Sequence, residues 1–358
     1  MDNFFKGLTI IELSSVLAGP SVGMFFAELG ATVIKIENSK TGGDVTRSWK
    51  NSHEIASQSN EISAYFAAVN YGKTHVFLDL KDPKEKYQLD EYVKSADIIT
   101  TNLKLGDAEK LGLTYDYFRS LKENIIQCQL SGFESDKSRP AFDAVLQAET
   151  GYMHMNGHPN SPPTKMPVAL IDVIAGHQMK EALLIALLKL EKENLGSYIE
   201  VSLEASAISS LANQATNWLM SGLEGKRNGS LHPNIAPYGE TYQCKDGKWL
   251  VLAIGNDKQF KNLIKILNNK KLEDGKYQSN QNRIANRKAL NEVLALSFQG
   301  KERDEILKGL LKAKIPAGAI HGMKEVFAGE TAQNMLIHED LNGTNTIRPS
   351  SIAFRFSK

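Results

Sequence analysis

An α/β fold built on a mostly parallel sheet is predicted by two observations. Through the first third of the chain, short β-branched runs alternate with helical stretches in a repeated β-α-β rhythm. A chain of 358 residues that is 42% hydrophobic can bury a sizeable core, and its length points to two domains. In order, Leu8 to Leu13 reads as the first strand. The loop Ser14 to Pro20 then leads into a helix through Leu29, and Thr32 to Ile36 forms a second strand closed by Glu37. Further strands are expected at His75 to Leu78, Ile98 to Thr101 and Ile125 to Gln129. Helices are expected at Ser63 to Val69, Lys86 to Ser95 and Tyr115 to Lys122. A long helix follows from Val173 to about Lys192, then a strand at Tyr198 to Val201 and a helix at Leu203 to Leu219.

The composition changes at Gly222 to Tyr238, where glycine, asparagine and proline mark a linker or active-site loop. Beyond it, Asp246-Gly247 between Glu240 to Gln243 and Trp249 to Ile254 signals a hairpin. Polar helices run to about Ala313. Ile315 to Ile320 then reads as a short strand returning toward the first domain, and the tail from Leu336 is expected to rejoin it. No internal repeat or low-complexity segment interrupts this pattern.

The net charge of +1, from 42 basic and 41 acidic residues, provides no polyelectrolyte basis for binding nucleic acid or a membrane surface. An anionic ligand must therefore be met by local basic residues. Cys128 and Cys244 form no CxxC pair or zinc-type cluster, so no disulfide framework and no metal site is expected. Residues 1–7 lack the basic and long apolar regions of a signal peptide, and no later segment suits a bilayer span. The expected location is the cytoplasm.

Asp172 lies between the apolar run Val168 to Ile171 and the helical pattern after it. A carboxylate at a strand end facing a helix N-terminus is stabilised by the free N–H groups of the first turn. It is expected to stay ionised near neutral pH, and a carboxylate so held could serve as a nucleophile. Helix capping is the plainer reading of the same residue. Glu37 ends the second strand as the ribose-binding acid of a dinucleotide fold does. The preceding turn, however, holds one glycine followed by Pro20 instead of GxGxxG, which argues against a nicotinamide or flavin site.

The segments IELSSVLAGP (11–20), ELGATVIKIE (28–37) and GDVTR (43–47) resemble the start of a class III CoA-transferase, the formyl-CoA and carnitine CoA-transferase type of the CaiB/BaiF-like family. Similar motifs continue in order: NYGK (70–73), LDLK (78–81), NLK (102–104), KLGL (110–113), Phe142-Asp143, Gln147-Ala148, IDVIAG (171–176), HPNIAPY (232–238), GNDKQF (255–260) and IPAG (315–318). Together they span nearly the whole chain.

The resemblance implies a Rossmann-like large domain with a parallel sheet and a smaller inserted α+β domain. The expected boundaries are 1–224 for the first part of the large domain, 225–320 for the small domain and 321–358 for the return segment. Family members are interlocked, ring-like homodimers, and the same is expected here. The implied substrates are an acyl-CoA thioester and a small carboxylic acid, with CoA passing through an aspartyl anhydride and an aspartyl-CoA thioester on Asp172. No permanently bound cofactor is implied. The CoA site is expected to comprise Val16, Leu17, Ala18, Asn102, Leu103, Phe142 and Asp143, with Lys73 and Lys110 toward the phosphates. Lys40 and Arg47 are weaker phosphate candidates, and Asp257 is a candidate for the acyl end or for capping a turn.

Racemases of the same family place a histidine before the aspartate matched by Asp143. Phe142 stands there instead, so one arm of a two-base proton transfer is missing and transfer ranks above epimerisation. A noncatalytic CoA-binding subunit is the other alternative. Leu103 and Leu105 depart from the family's aromatic and proline at those positions, which alters the expected adenine packing.

Overall fold

The computed structural model describes residues 3–57, 62–136, 138–341 and 343–357. Its strands are β1 (Thr9–Leu13), β2 (Thr32–Asn38), β3 (Lys73–Leu78), β4 (Ile98–Thr101), β5 (Ile126–Ser131), β6 (Ser197–Ser202), β7 (Tyr238–Gln243), β8 (Trp249–Ala253), β9 (Ala317–Ala319), β10 (Leu336–Leu341) and β11 (Thr344–Pro349). The helices used below are α1 (Ala18–Glu28), α2 (Ala64–Ala67), α3 (Pro83–Ser95), α4 (Tyr115–Leu121), α5 (Asp143–Glu149), α6 (Leu170–Glu193), α7 (Leu203–Ser209), α8 (Ala212–Ser221) and α9 (Asp257–Leu267). Two compact units result. One comprises Met1–Gly151, Met166–Asn213 and Thr331–Lys358, and the other Tyr152–Lys165 and Gln214–Glu330.

In the first unit six parallel strands form one sheet in the order β3-β2-β1-β4-β5-β6. The chain winds outward from β1 to β3, then restarts on the other side of β1 with β4, the doubly wound topology of Rossmann-like folds. Ile11, Leu13, Ile36, Leu78 and Ile99 cover one face by packing with Leu89 and Val93 of α3 and Phe118 of α4. Side chains alternate along a strand, so Glu12 points to the opposite face, where α1 packs against α6. Gly23 of α1 makes room there: a Cβ at this position would lie 2.1 Å from Glu12 Oε2. The tail packs on this unit. The Gly72 N–H donates to Glu339 Oε1 at 2.8 Å, and Arg348 pairs with Glu28 at 2.7 Å.

Two expected elements differ. Val168 to Ile171 is not a strand, because Leu170 and Ile171 already belong to α6. The stretch Leu203 to Leu219 is two helices, α7 and α8, parted at a left-handed Ala212 (φ 48°).

In the second unit β7, β8 and β9 form an antiparallel sheet over a core that includes Leu250, Leu252, Phe260, Leu290 and Phe298. The predicted turn is present, with Gly247 at φ 74° and Gln243 opposite Trp249. Ile315 to Ile320 does not return to the first unit as expected. Its central residues pair with β8, Ala319 opposite Leu250. Asp257 opens α9 and accepts a hydrogen bond from the Arg283 guanidinium at 2.7 Å, an ion pair internal to this unit. Among the described residues no helix is long and apolar enough to cross a membrane.

Candidate active site

The sheet order reverses between β1 and β4, and the crevice beyond the carboxyl ends of those strands is where doubly wound folds bind ligands. The loop Ser14 to Leu17 leaves β1 at that point, and Asn102 leaves β4. They are clamped together: the Ser15 N–H donates to Asn102 Oδ1 at 3.1 Å, and Asn102 Nδ2 donates to Ser15 O at 2.9 Å. Val16 adopts φ 74°, a left-handed conformation that is exceptional for a β-branched residue. A Cβ on Gly19 would lie 2.5 Å from Ser14 Cβ, so glycine lets the first turn of α1 fold back onto this loop. The expected CoA contacts Val16, Leu17, Ala18, Asn102 and Leu103 thus share one edge of the sheet.

Asp172 sits in the first turn of α6 and is 7% exposed. The helix has no side-chain cap of its own at Ala169. Asp143 supplies one from α5, its Oδ1 accepting the Ile171 N–H at 2.7 Å. Gln147, fully buried, fixes that carboxylate by donating to Asp143 Oδ2 at 2.6 Å, while its own Oε1 accepts the Met166 N–H at 2.7 Å. Among the described residues, the Asp172 carboxylate itself accepts no hydrogen bond. Burial and the neighbouring Asp143 charge push its pKa up to about 7. Desolvation and like charge thus work against the stabilisation expected from the helix N-terminus, and the carboxylate changes charge around neutral pH.

Gly176, one turn along α6 on the same face, joins this carboxylate to the switch point. A Cβ there would meet Ser21 Oγ at 2.5 Å and Ala18 O at 3.2 Å. Tyr65 of α2 is a further neighbour: burial raises the pKa of its phenol, with Asp172, Asp143 and Asp44 adding to the shift. It packs edge-on against Trp49, centroids 5.1 Å apart. No motif singled out Tyr65, because only folding brings it to the carboxylates. Phe142, just before α5, is 54% exposed.

The expected basic residues divide. Lys73 does not reach outward. Its ammonium is fully buried and donates to Glu12 Oε1, Pro20 O and Asn70 Oδ1 at 2.8–3.0 Å, using all three donors. Burial pulls its pKa down to about 8 despite Glu12. Arg47 is likewise engaged, donating through Nε and Nη2 to Glu37 at 2.8 and 2.6 Å. Glu37 also accepts the Asp44 N–H and faces His75, so it has no oxygen left for a ribose. Lys110 is 79% exposed and pairs only loosely with Asp107, at 3.4 Å.

Two clefts open along this edge of the sheet. One, about 330 Å³, is lined by Leu13, Ile36, Leu78 and Leu103 with Lys40 and Lys81. The other, about 130 Å³, is lined by Asn102, Leu103, Lys104, Gln129 and Arg139. Lys40, one of the weaker phosphate candidates, thus lines a cleft, as do Lys81 and Lys104, which stand in the motifs LDLK and NLK.

A family model described as CoA-transferase family III matches residues 5–358. The succinate–glutarate CoA-transferase of Agrobacterium fabrum is 34% identical over 94% of this chain and 84% of its own length. The succinyl-CoA:glutarate CoA-transferase of Mus musculus is 33% identical over 99% of this chain and 80% of its own length. A crystal structure of a CaiB/BaiF family protein from Brucella suis superposes with a TM-score of 0.85 at 33% identity, covering 100% of this chain and 93% of that one.

Proposed function

The chain belongs to CoA-transferase family III, and we propose that it moves CoA between dicarboxylic acids with Asp172 as the covalent nucleophile. The observation that carries this reading is the buried Asp172 carboxylate, free of hydrogen bonds among the described residues, one helical turn from the close approach of Gly176 to Ala18. The Asp172 carboxylate attacks the thioester carbonyl of the donor, forming a mixed anhydride and expelling CoA thiolate. The thiolate attacks the aspartyl carbonyl of that anhydride, giving an aspartyl-CoA thioester and releasing the donor acid. The incoming carboxylate attacks the aspartyl thioester and again expels thiolate, which takes the new acyl group from the second anhydride. Asp172 is thereby restored and no thioester energy is lost to water.

A carboxylate with a pKa near neutrality suits both halves of this cycle. It is a stronger base and nucleophile than an ordinary aspartate, yet it still ionises at working pH. Val16, Leu17 and Ala18 line the pantetheine path in this reading, and the 330 Å³ cleft takes the adenosine end, with Lys40 and Lys81 at its rim. Lys110 reaches the phosphates from outside. The dicarboxylate class rests on the relatives named for succinate and glutarate.

A second copy of the chain completes the assembly in the same reading. Ile185 and Leu188 on α6 and Trp218, Leu219 and Met220 on α8 are 56–86% exposed, surface that an interlocked partner would cover. Light scattering on the purified protein should give a dimer mass.

Incubation with succinyl-CoA, followed by intact-protein mass spectrometry and hydroxylamine trapping, tests the chemistry. Wild type should carry a CoA-mass adduct that Asp172→Ala lacks. An adduct that persists in the variant would remove Asp172 from the mechanism; α-proton exchange with deuterium oxide and no adduct would point to epimerisation instead.

A further inference from the structure

The buried charges beneath the switch-point loop are not used by the chemistry above. Glu12 on β1 stands directly opposite Lys35 on β2, and the two pair at 2.9 Å with side chains no more than 1% exposed. Lys35 also donates to the carbonyl of Ser14 at 2.6 Å and pairs with Asp44 at 3.1 Å. Burial disfavours its charge, but Glu12 and Asp44 outweigh that and hold its pKa above the ordinary lysine value. Asp44 is itself buried, and its Oδ1 accepts from the N–H and hydroxyl of Thr46 at 3.0 and 2.8 Å. Its Oδ2 accepts from the N–H of Val16 at 3.2 Å. Val16 is the residue at φ 74°.

A left-handed valine persists only when its surroundings over-determine it. Here the Ser14 carbonyl is held by Lys35, the Ser15 amide and carbonyl by Asn102, and the strained residue's own amide by Asp44. We propose that Asp44 is a positioning residue for CoA binding, its carboxylate tethering the Val16 amide and so holding the Ser14–Leu17 loop in its left-handed turn. This rests on the reading that the loop lines the CoA site. Asp44 acts through Val16 and has no contact with the reacting atoms.

The test compares wild type, Asp44→Asn, Val16→Gly and the double variant by calorimetric titration with free CoA and by transfer kinetics. An amide at position 44 must turn an N–H₂ toward either Val16 N–H and Lys35 or the two Thr46 donors, so one set of bonds is lost. Losing a charge-assisted bond of this kind should weaken CoA binding and raise KM for the CoA donor by about tenfold. KM for the acceptor acid should move less, and the Asp172 adduct should still form at saturating donor. Glycine adopts φ 74° without strain. Val16→Gly should therefore recover most of the lost affinity in the Asp44→Asn background, a rescue that general damage to the fold would not show. Asp44→Ser enters the same comparison, whether or not Asp44→Asn folds.

An asparagine that keeps its oxygen on Val16 retains the tether, so Asp44→Ser, too short to reach that amide, decides: unchanged CoA affinity in it, or no recovery when Val16→Gly is added to it, would overturn the proposal. A wild type that binds CoA but transfers nothing would overturn the transfer reading alone, and the affinities would still decide the role of Asp44. A wild type that binds no CoA would overturn both.

Discussion

Asp172→Asn should stabilise the protein while abolishing transfer, and the gain should depend on pH. The amide keeps the shape of the side chain and removes the charge that burial and Asp143 oppose. In the folded chain the Asp172 proton is retained up to about pH 7, against an ordinary aspartate value of 3.8. About three pH units correspond to about 4 kcal/mol of ionisation cost borne by the native state. The folded pKa is raised, so between 3.8 and about 7 the native state holds a proton that the unfolded chain has lost. Stability from this group is complete below that window, declines through it and is level above it. Asparagine has no such decline. Variant and wild type should therefore match near pH 4 and diverge to about 2–4 kcal/mol by pH 8, the lower figure allowing for relaxation around the charge. Urea unfolding followed by tryptophan fluorescence at several pH values measures the difference directly, and carboxylates common to both proteins cancel. A difference that stays flat with pH, or a variant less stable than wild type at pH 8, would refute the account of Asp172.

The same carboxylate sets the rate profile: only the ionised form attacks, so kcat/KM for the CoA donor should rise with pH through about 7. Asp143→Asn retains an oxygen for the Ile171 N–H but removes the repelling charge, and should move that rising limb about one unit toward acid. Gly176→Ala places a methyl 2.5 Å from Ser21 Oγ and 3.2 Å from Ala18 O. The hydroxyl can turn away and the carbonyl cannot, so melting and kinetics should show a loss of about 1–3 kcal/mol and a fall in kcat larger than any change in KM. Lys73→Met leaves Glu12 with Lys35 as its remaining cation and Pro20 O without its side-chain donor. Denaturant unfolding should register a loss of about 3–5 kcal/mol. The folded fraction should keep the wild-type KM for the CoA donor, which a phosphate ligand would not.

The central strands were legible because parallel strands buried on both faces read as runs rich in β-branched residues, and Ile98 to Thr101 matches β4 to the residue. The hairpin was legible because Asp246-Gly247 supplies the left-handed residue its turn needs. Motif order brought together the loop at Val16 to Ala18, Asn102 and Asp172. What the sequence withheld depends on neighbours far along the chain. Lys73 looks like any surface lysine until Glu12, 61 residues away, is seen to bury it. The apolar run before Asp172 resembled a strand because short apolar segments carry no period of their own. Gly43-Asp44 stood out as part of a motif, but its bond to Val16 exists only in three dimensions.

Asp172 shows why position on a helix does not by itself determine a carboxylate's charge. The first turn of a helix has N–H groups without intrahelical partners, which is why an ionised Asp172 was expected. In α6 the Leu170 N–H is taken by the Val168 carbonyl and the Ile171 N–H by Asp143. That carboxylate stabilises the start of the helix and at the same time puts a second negative charge beside the nucleophile. The two effects separate the roles of two acidic residues: Asp143 is fixed by hydrogen bonds from Ile171 and Gln147, while Asp172 is left buried without any among the described residues. A group so placed costs the fold stability whenever it is charged, and the charged form is the one that can attack a thioester. Relief of that cost on forming a neutral anhydride or thioester at Asp172 would favour the covalent intermediates over the free carboxylate, so the same burial that weakens the native state assists each acyl-transfer step.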